Sequence, residues 1–198
     1  MKERISIKRI IIDLLMIKEQ VLEYYKDNEE YQVLLNFLTA KDYLNDNDIP
    51  IPTFKEIEKE TGIKIYHIRK HLFDIYEELF DEEKDFRFNF TKREINFIIR
   101  YNKKYTTLKY NDLNHIPRIG ENIDLSFVKA RVGCEYFYVN DIRHLFYDNI
   151  HTIDIYLKCG IYNFYWYHRL QEAKEKRELS RNDFYDLDDY ELKKKLLH

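Results

Sequence analysis

The chain predicts an α+β fold: a helical first half, then a small antiparallel β-sheet or SH3-like barrel, then a closing helix. Three observations carry this. Apolar residues recur at spacings of three and four as far as residue 80. From residue 86 onward, short runs of β-branched and aromatic residues alternate with polar turns. The helical and strand-like segments are grouped and not interleaved, which argues against a doubly wound parallel sheet. The expected regions are a helical one over 1–85, a β-rich module over 86–160, and a C-terminal helix with a charged tail over 161–198.

The first helix is expected over residues 5–26, because Ile7, Ile10, Leu14, Ile17, Val21 and Tyr24 form one stripe. Ile11, Leu15 and Leu22 widen it to the breadth of a core-facing surface. A second helix runs from about Glu29 to Leu44, with Leu34, Leu35, Phe37 and Leu38 inward. The stretch NDNDIPIP stops it, since the residues before Pro50 and Pro52 disfavour helix. Thr53 and Glu56 then spell a capping box, and Gly62 offers a left-handed stop. The next helix, about Lys64 to Phe80, buries Ile68, Leu72, Ile75 and Leu79. FRFNF, EINFIIRY, KYTTLKY, IDLSFVKARV, CEYFYVNDI and HTIDIYLK read as strands. HIPRIGENIDL reads as a barrel-entry turn, with Pro117 and Gly120 setting the chain for the next strand. A last helix is expected over Tyr165–Glu178, followed by a tail that is a short helix or disordered.

Composition narrows the partners. A net charge of −3 excludes a global polycation, so any nucleic-acid surface must come from local segregation of charge. The 18 Tyr and 13 Phe travel with abundant Ile, Lys and Asn, a compositional bias more than a stacking platform. Cys134 and Cys159 do not amount to a disulfide framework, and Cys134 reads as a small strand residue. The basic N-terminus lacks a clean apolar run, and no stretch reaches the length of a membrane span. The cytoplasm is the expected compartment, with no membrane contact.

Charge does segregate around residues 53–83. Ile63–Phe73 carries Lys64, Arg69 and Lys70 with no acid, whereas Asp74–Glu83 carries six acids and no cation. From Phe86 to Arg118 there are eight cations against Glu94 and Asp112. The pattern of Phe54, Ile57, Thr61-Gly62-Ile63, Ile68 and Leu72, with Arg69-Lys70-His71 alongside, resembles the helix-turn-helix of bacterial winged-helix regulators. That resemblance implies a recognition helix entering the major groove by its N-terminal end. Glu58 stands where that family has a small residue. Lys64, Ile65, Tyr66, His67, Arg69 and Lys70 are the expected reading residues. A wing is expected next, with Lys92 and Arg93 at the tip of its TKRE turn and able to reach backbone phosphate. The competing reading makes those lysines guards of a strand edge.

Enzyme chemistry finds no foothold. There is no Walker loop and no Gly-x-Ser-x-Gly elbow. His67 and His71 lack a neighbouring acid, and Cys134, His144, His151 and Cys159 lack metal-knuckle spacing. YNFYWYHRL, the most aromatic run, reads as a docking seam for the last helix. The expectation is a non-enzymatic protein, without cofactor or metal, that binds double-stranded DNA as a regulator. A homodimer is a possible form, and the β module a possible seat for a protein partner. Two alternatives stay open: an interaction subunit of a larger assembly, and an RNA-binding protein using the basic aromatic sheet.

Overall fold

A computed structural model describes residues 5–84 and 86–196. The chain is α+β and folds as two compact units. The first comprises the described residues up to Lys92 together with Phe146–Ile150. The second comprises Arg93–Leu145 and the described residues from His151 onward.

The first unit is helical: α1 (Ile7–Leu15), α2 (Lys18–Tyr24), α3 (Glu29–Thr39), α4 (Phe54–Thr61) and α5 (Ile65–Leu79). α1 and α4 pack on α5, and α3 packs on α4. Ile10, Leu14, Leu34, Leu38, Ile57 and Leu72 are buried in one core, so the three-and-four spacing has its packing consequence. The expected single helix over 5–26 is broken at Met16–Ile17. Asp148 holds the break open. Its N–H donates to the Met16 carbonyl at 2.6 Å, and its carboxylate accepts the Glu19 N–H at 2.7 Å. The two helix ends thereby find partners for groups that a helix terminus leaves orphaned. α3 stops at Thr39, short of Leu44, because the Asp42 carboxylate accepts both the backbone and side-chain N–H of Asn45.

FRFNF is not a strand. Its alternation reflects ring packing: Phe86 meets Tyr24 edge-on at 4.9 Å, and Phe90 meets Phe146 at 4.9 Å.

The second unit holds β2 (Lys104–Tyr110), β3 (Asn122–Asp124) and most of β1 (Lys92–Tyr101), β4 (Tyr136–Tyr147) and β5 (Ile150–Cys159), whose residues Lys92, Phe146, Tyr147 and Ile150 belong to the first unit. Their order is β2-β1-β5-β4-β3. The sheet is open and mixed, which corrects the expected antiparallel sheet or closed barrel. Its edges are β2 and a β3 of three residues, too short to seal a barrel wall. The run IDLSFVKARV is not one strand either. After β3 it becomes a 3-10 turn (Ser126–Val128) and α6 (Lys129–Val132), which packs on β2. Leu125, Val128 and Val132 are buried at helical spacing, a period hidden inside a β-rich composition. Gly120 does turn the chain into β3; at φ +89° a Cβ there would lie 3.0 Å from the Tyr162 ring.

The chain closes with α7 (Phe164–Glu175), α8 (Arg181–Asp186) and α9 (Asp189–Leu196). The tail beyond residue 180 therefore forms two short helices, parted at Leu187–Asp188, around Leu170, Ala173, Leu179 and Leu192. Lys195 and Ser180 hydrogen-bond the Asp183 carboxylate and hold its pKa down at about 2.

Cys134 and Cys159 form a disulfide, and Cys134 lies just before β4, which corrects its reading as a small strand residue. The alternating strands bring their two ends together, which spacing along the chain could not reveal. Among the described residues no helix is long and apolar enough to cross a membrane.

Candidate nucleic-acid interface

α4 and α5 are joined by a turn of three residues. Thr53 starts α4 with a complete capping box: its hydroxyl accepts the Glu56 N–H, and the Glu56 carboxylate accepts the Thr53 N–H at 2.7 Å. Gly62 ends α4 at φ +73°, and its N–H donates to the Glu58 carbonyl at 2.9 Å. Thr61 reinforces the corner, donating its hydroxyl to the Ile57 carbonyl and accepting the Ile63 N–H. Ile57 and Ile68 are fully buried on either side, which fixes the two helices to each other and to the core.

The first turn of α5 faces outward. Lys64 is its N-cap and has no side-chain cap bond, and the first turn contains no acid. The positive end of the helix dipole is thus left for a ligand. Lys64, Tyr66, His67, Arg69 and Lys70 are exposed, Tyr66 at 73%, and Ile65 is half-buried. Glu58 does not wedge the helices apart; its carboxylate reaches the Lys64 ammonium at 3.6 Å. The Arg69 guanidinium lies over the Phe54 ring, 4.9 Å from its centroid, so α4 braces a cation of α5. His71, beside the basic run in sequence, is instead 8% exposed. It packs against Tyr31 and places Nδ1 3.4 Å from a Glu30 carboxylate oxygen.

The acidic half of α5 is held elsewhere. Glu78 accepts the Tyr25 hydroxyl at 2.8 Å. Burial, with that carboxylate second, pushes the Tyr25 phenol far above its ordinary pKa. Ile65 and Glu78 are about 20 Å apart along the helix axis, well beyond a physiological Debye length of about 8 Å. Glu77 and Glu78 therefore do little to cancel the charge at the N-terminal end, whereas Asp74 stands one helical turn from Lys70 and offsets part of its charge.

Lys92 and Arg93 are both exposed, but they stand at the start of β1 and not at a hairpin tip. The tip is Asn102–Lys103, at φ +47° and +62°, followed by Lys104. TKRE fails as a turn because its lysine is taken into the ladder: the Lys92 N–H donates to the Asn149 carbonyl at 3.0 Å. A type I′ turn needs residues that tolerate positive φ, and Asn102 marks such a site.

No family model, curated protein or solved structure matches this chain.

The geometry therefore speaks alone. Among the described residues no group of three or more His, Cys, Asp or Glu side chains is placed to hold a metal ion. His144 and His151 do meet, ring nitrogens 2.8 Å apart, but at the opposite end of the β4–β5 hairpin from the cysteines. His151 is held below its ordinary pKa by burial, then by His144 and Arg93. Sequence reasoning missed the bracing of Arg69 by Phe54 and the inward turn of His71. Helical phase could have found the second, since His71 falls one residue before buried Leu72 and three after buried Ile68.

Proposed function

We propose that α4 and α5 act as a helix-turn-helix and that the chain binds double-stranded DNA as a regulator, with α5 entering the major groove by its N-terminal end. The observation that supports this most is the first turn and a half of α5: uncapped, free of acids and flanked by exposed Lys64, Arg69 and Lys70. Tyr66 and His67 are the side chains best placed to meet base edges, with the three cations on phosphate. Lys92 and Arg93 remain exposed candidates for phosphate contact, and Lys103 and Lys104, at the β1–β2 tip of the other unit, are further ones to test. A single recognition helix covers half a site, so a dimer fits a full operator.

The test is a salt titration of binding to mixed-sequence duplex, read by fluorescence anisotropy. Arg69→Ala with Lys70→Ala should lower the slope of log affinity against log salt by roughly 1.8. Both side chains are exposed, so circular dichroism should report an unchanged fold. Absence of duplex binding at low salt, or an unchanged slope, rules the reading out.

A second reading, a docking subunit of an assembly, draws on exposed Ile161, Phe164 and Tyr165 at the start of α7. It predicts no duplex affinity at any salt. A DNA ligand also implies the cytoplasm, where thiols are kept reduced, whereas the Cys134–Cys159 bond belongs to oxidising surroundings. Thiol labelling of the protein taken directly from cells tells which surroundings it meets.

A further inference from the structure

The helical unit contains a groove of about 570 Å³ between α2 and the segment 86–91, with Asn149 also on its wall. That volume suits a metabolite. Its walls are cross-linked before any ligand arrives. The Gln20 side chain donates to the Asp148 carbonyl at 2.5 Å and accepts the Asn89 N–H at 2.8 Å. One amide thus ties α2 to both of the other segments, and ligand binding need not order them.

The charge in the groove is negative. α2 presents Glu19 and Glu23, one turn apart on the same face. Behind them the Asp148 carboxylate is 5% exposed and bonded to the Glu19 N–H. Two cations stand near. Arg87 on the wall is one cation against the two acids, and Lys26 meets Glu23 in an exposed pair of little strength. Beside the acids, Tyr24 and Phe86 set their rings edge to face at 4.9 Å. Ring faces carry the negative lobe of the aromatic quadrupole and attract ammonium groups. Carboxylates beside two rings select a cation with an apolar body and repel anions.

We propose that this groove binds an organic ammonium, its charge against Glu19 and Glu23 and its apolar body on Tyr24 and Phe86. This stands independently of the DNA reading, since none of these residues lies on α4 or α5. Isothermal titration of the full chain tests it with tyramine, choline and spermidine, and with 4-hydroxyphenylacetate as the ring-matched anion. At least one of the three amines should bind saturably, and the anion should not. Glu19→Gln with Glu23→Gln should weaken that amine about tenfold or more. Both side chains are exposed, so the melting temperature of the double variant should hold. Phe86→Ala should weaken the same amine while leaving the preference for cation over anion. No binding of any of the three amines, equal binding of tyramine and 4-hydroxyphenylacetate, or an amine affinity indifferent to the double substitution each overturns the proposal.

Discussion

The β1–β2 and β4–β5 hairpins both turn through non-glycine residues of positive φ, Asn102 and Lys103 in one and Asp148 in the other. Asn and Asp tolerate that region because their short polar side chains bond locally. The outcomes nevertheless differ. Asn102 and Lys103 are exposed, and their hairpin is held by its ladder, from Tyr101↔Lys104 to Ile95↔Tyr110. Asp148 is buried, bonded through its N–H, its carbonyl and its carboxylate to residues 16–20, and the far end of its hairpin is closed by Cys134–Cys159. A turn type thus fixes local geometry only. What the tip does depends on whether distant backbone groups lack partners, as the ends of α1 and α2 do.

The largest effect should come from the closed end. Cys134→Ser with Cys159→Ser releases a loop of 25 residues and should cost about 3 kcal/mol in urea unfolding. A loss well under 1 kcal/mol would mean that the β4–β5 ladder alone fixes this hairpin, and the contrast with β1–β2 would fade. Next comes the tip. Asp148→Ala leaves the Glu19 N–H without its acceptor and should cost about 2 kcal/mol. Asp148→Asn keeps an acceptor oxygen and tolerance of positive φ, so it should recover most of that loss. If alanine and asparagine behave alike, the carboxylate is not what caps α2.

Thr53 gives a local counterpart, doing for α4 what Asp148 does for α2 from 129 residues away. Thr53→Ala should cost about 1 kcal/mol at neutral pH. The Glu56 carboxyl is held below its ordinary pKa, first by the Thr53 backbone N–H and then by its hydroxyl. A lowered folded-state pKa stabilises above the unfolded-state value, and that part is lost as pH falls through the folded one. Alanine keeps the backbone N–H, so only the hydroxyl's share separates the two chains, and the wild-type advantage over Thr53→Ala should narrow by that smaller share as pH falls below the usual carboxylate range, which urea midpoints across acid pH will read.

This contrast also marks what sequence could reveal. The capping box, the Gly62 stop and the buried stripe Ile68-Leu72-Ile75 are local patterns, and each was legible. So were the cores of β1, β2, β4 and β5, where alternation and β-branching agree. The misreadings had non-local causes. α1 and α2 share one apolar stripe, and only Asp148 breaks the helix between them. FRFNF alternates for the sake of Tyr24 and Phe146, not for a neighbouring strand. The disulfide required the pairing of β4 with β5. At the candidate interface the cations of α5 were visible in sequence, but the Phe54 brace under Arg69 required the crossing of two helices.

The smallest effect on stability belongs to the open tip, and it separates structure from function most cleanly. Lys103→Ala removes an exposed side chain with no place in the core, so unfolding should shift by less than about 0.5 kcal/mol. If the tip supplies backbone charge to bound duplex, the same substitution should still lower the salt slope of binding by roughly 0.9. Sequence preference should not change, because a phosphate contact carries no base information. A slope that stays fixed while Arg69→Ala lowers it would confine the DNA surface to α5. The exposed lysines of β2 would then be what strand edges commonly carry, charges that keep the edge from pairing with another chain.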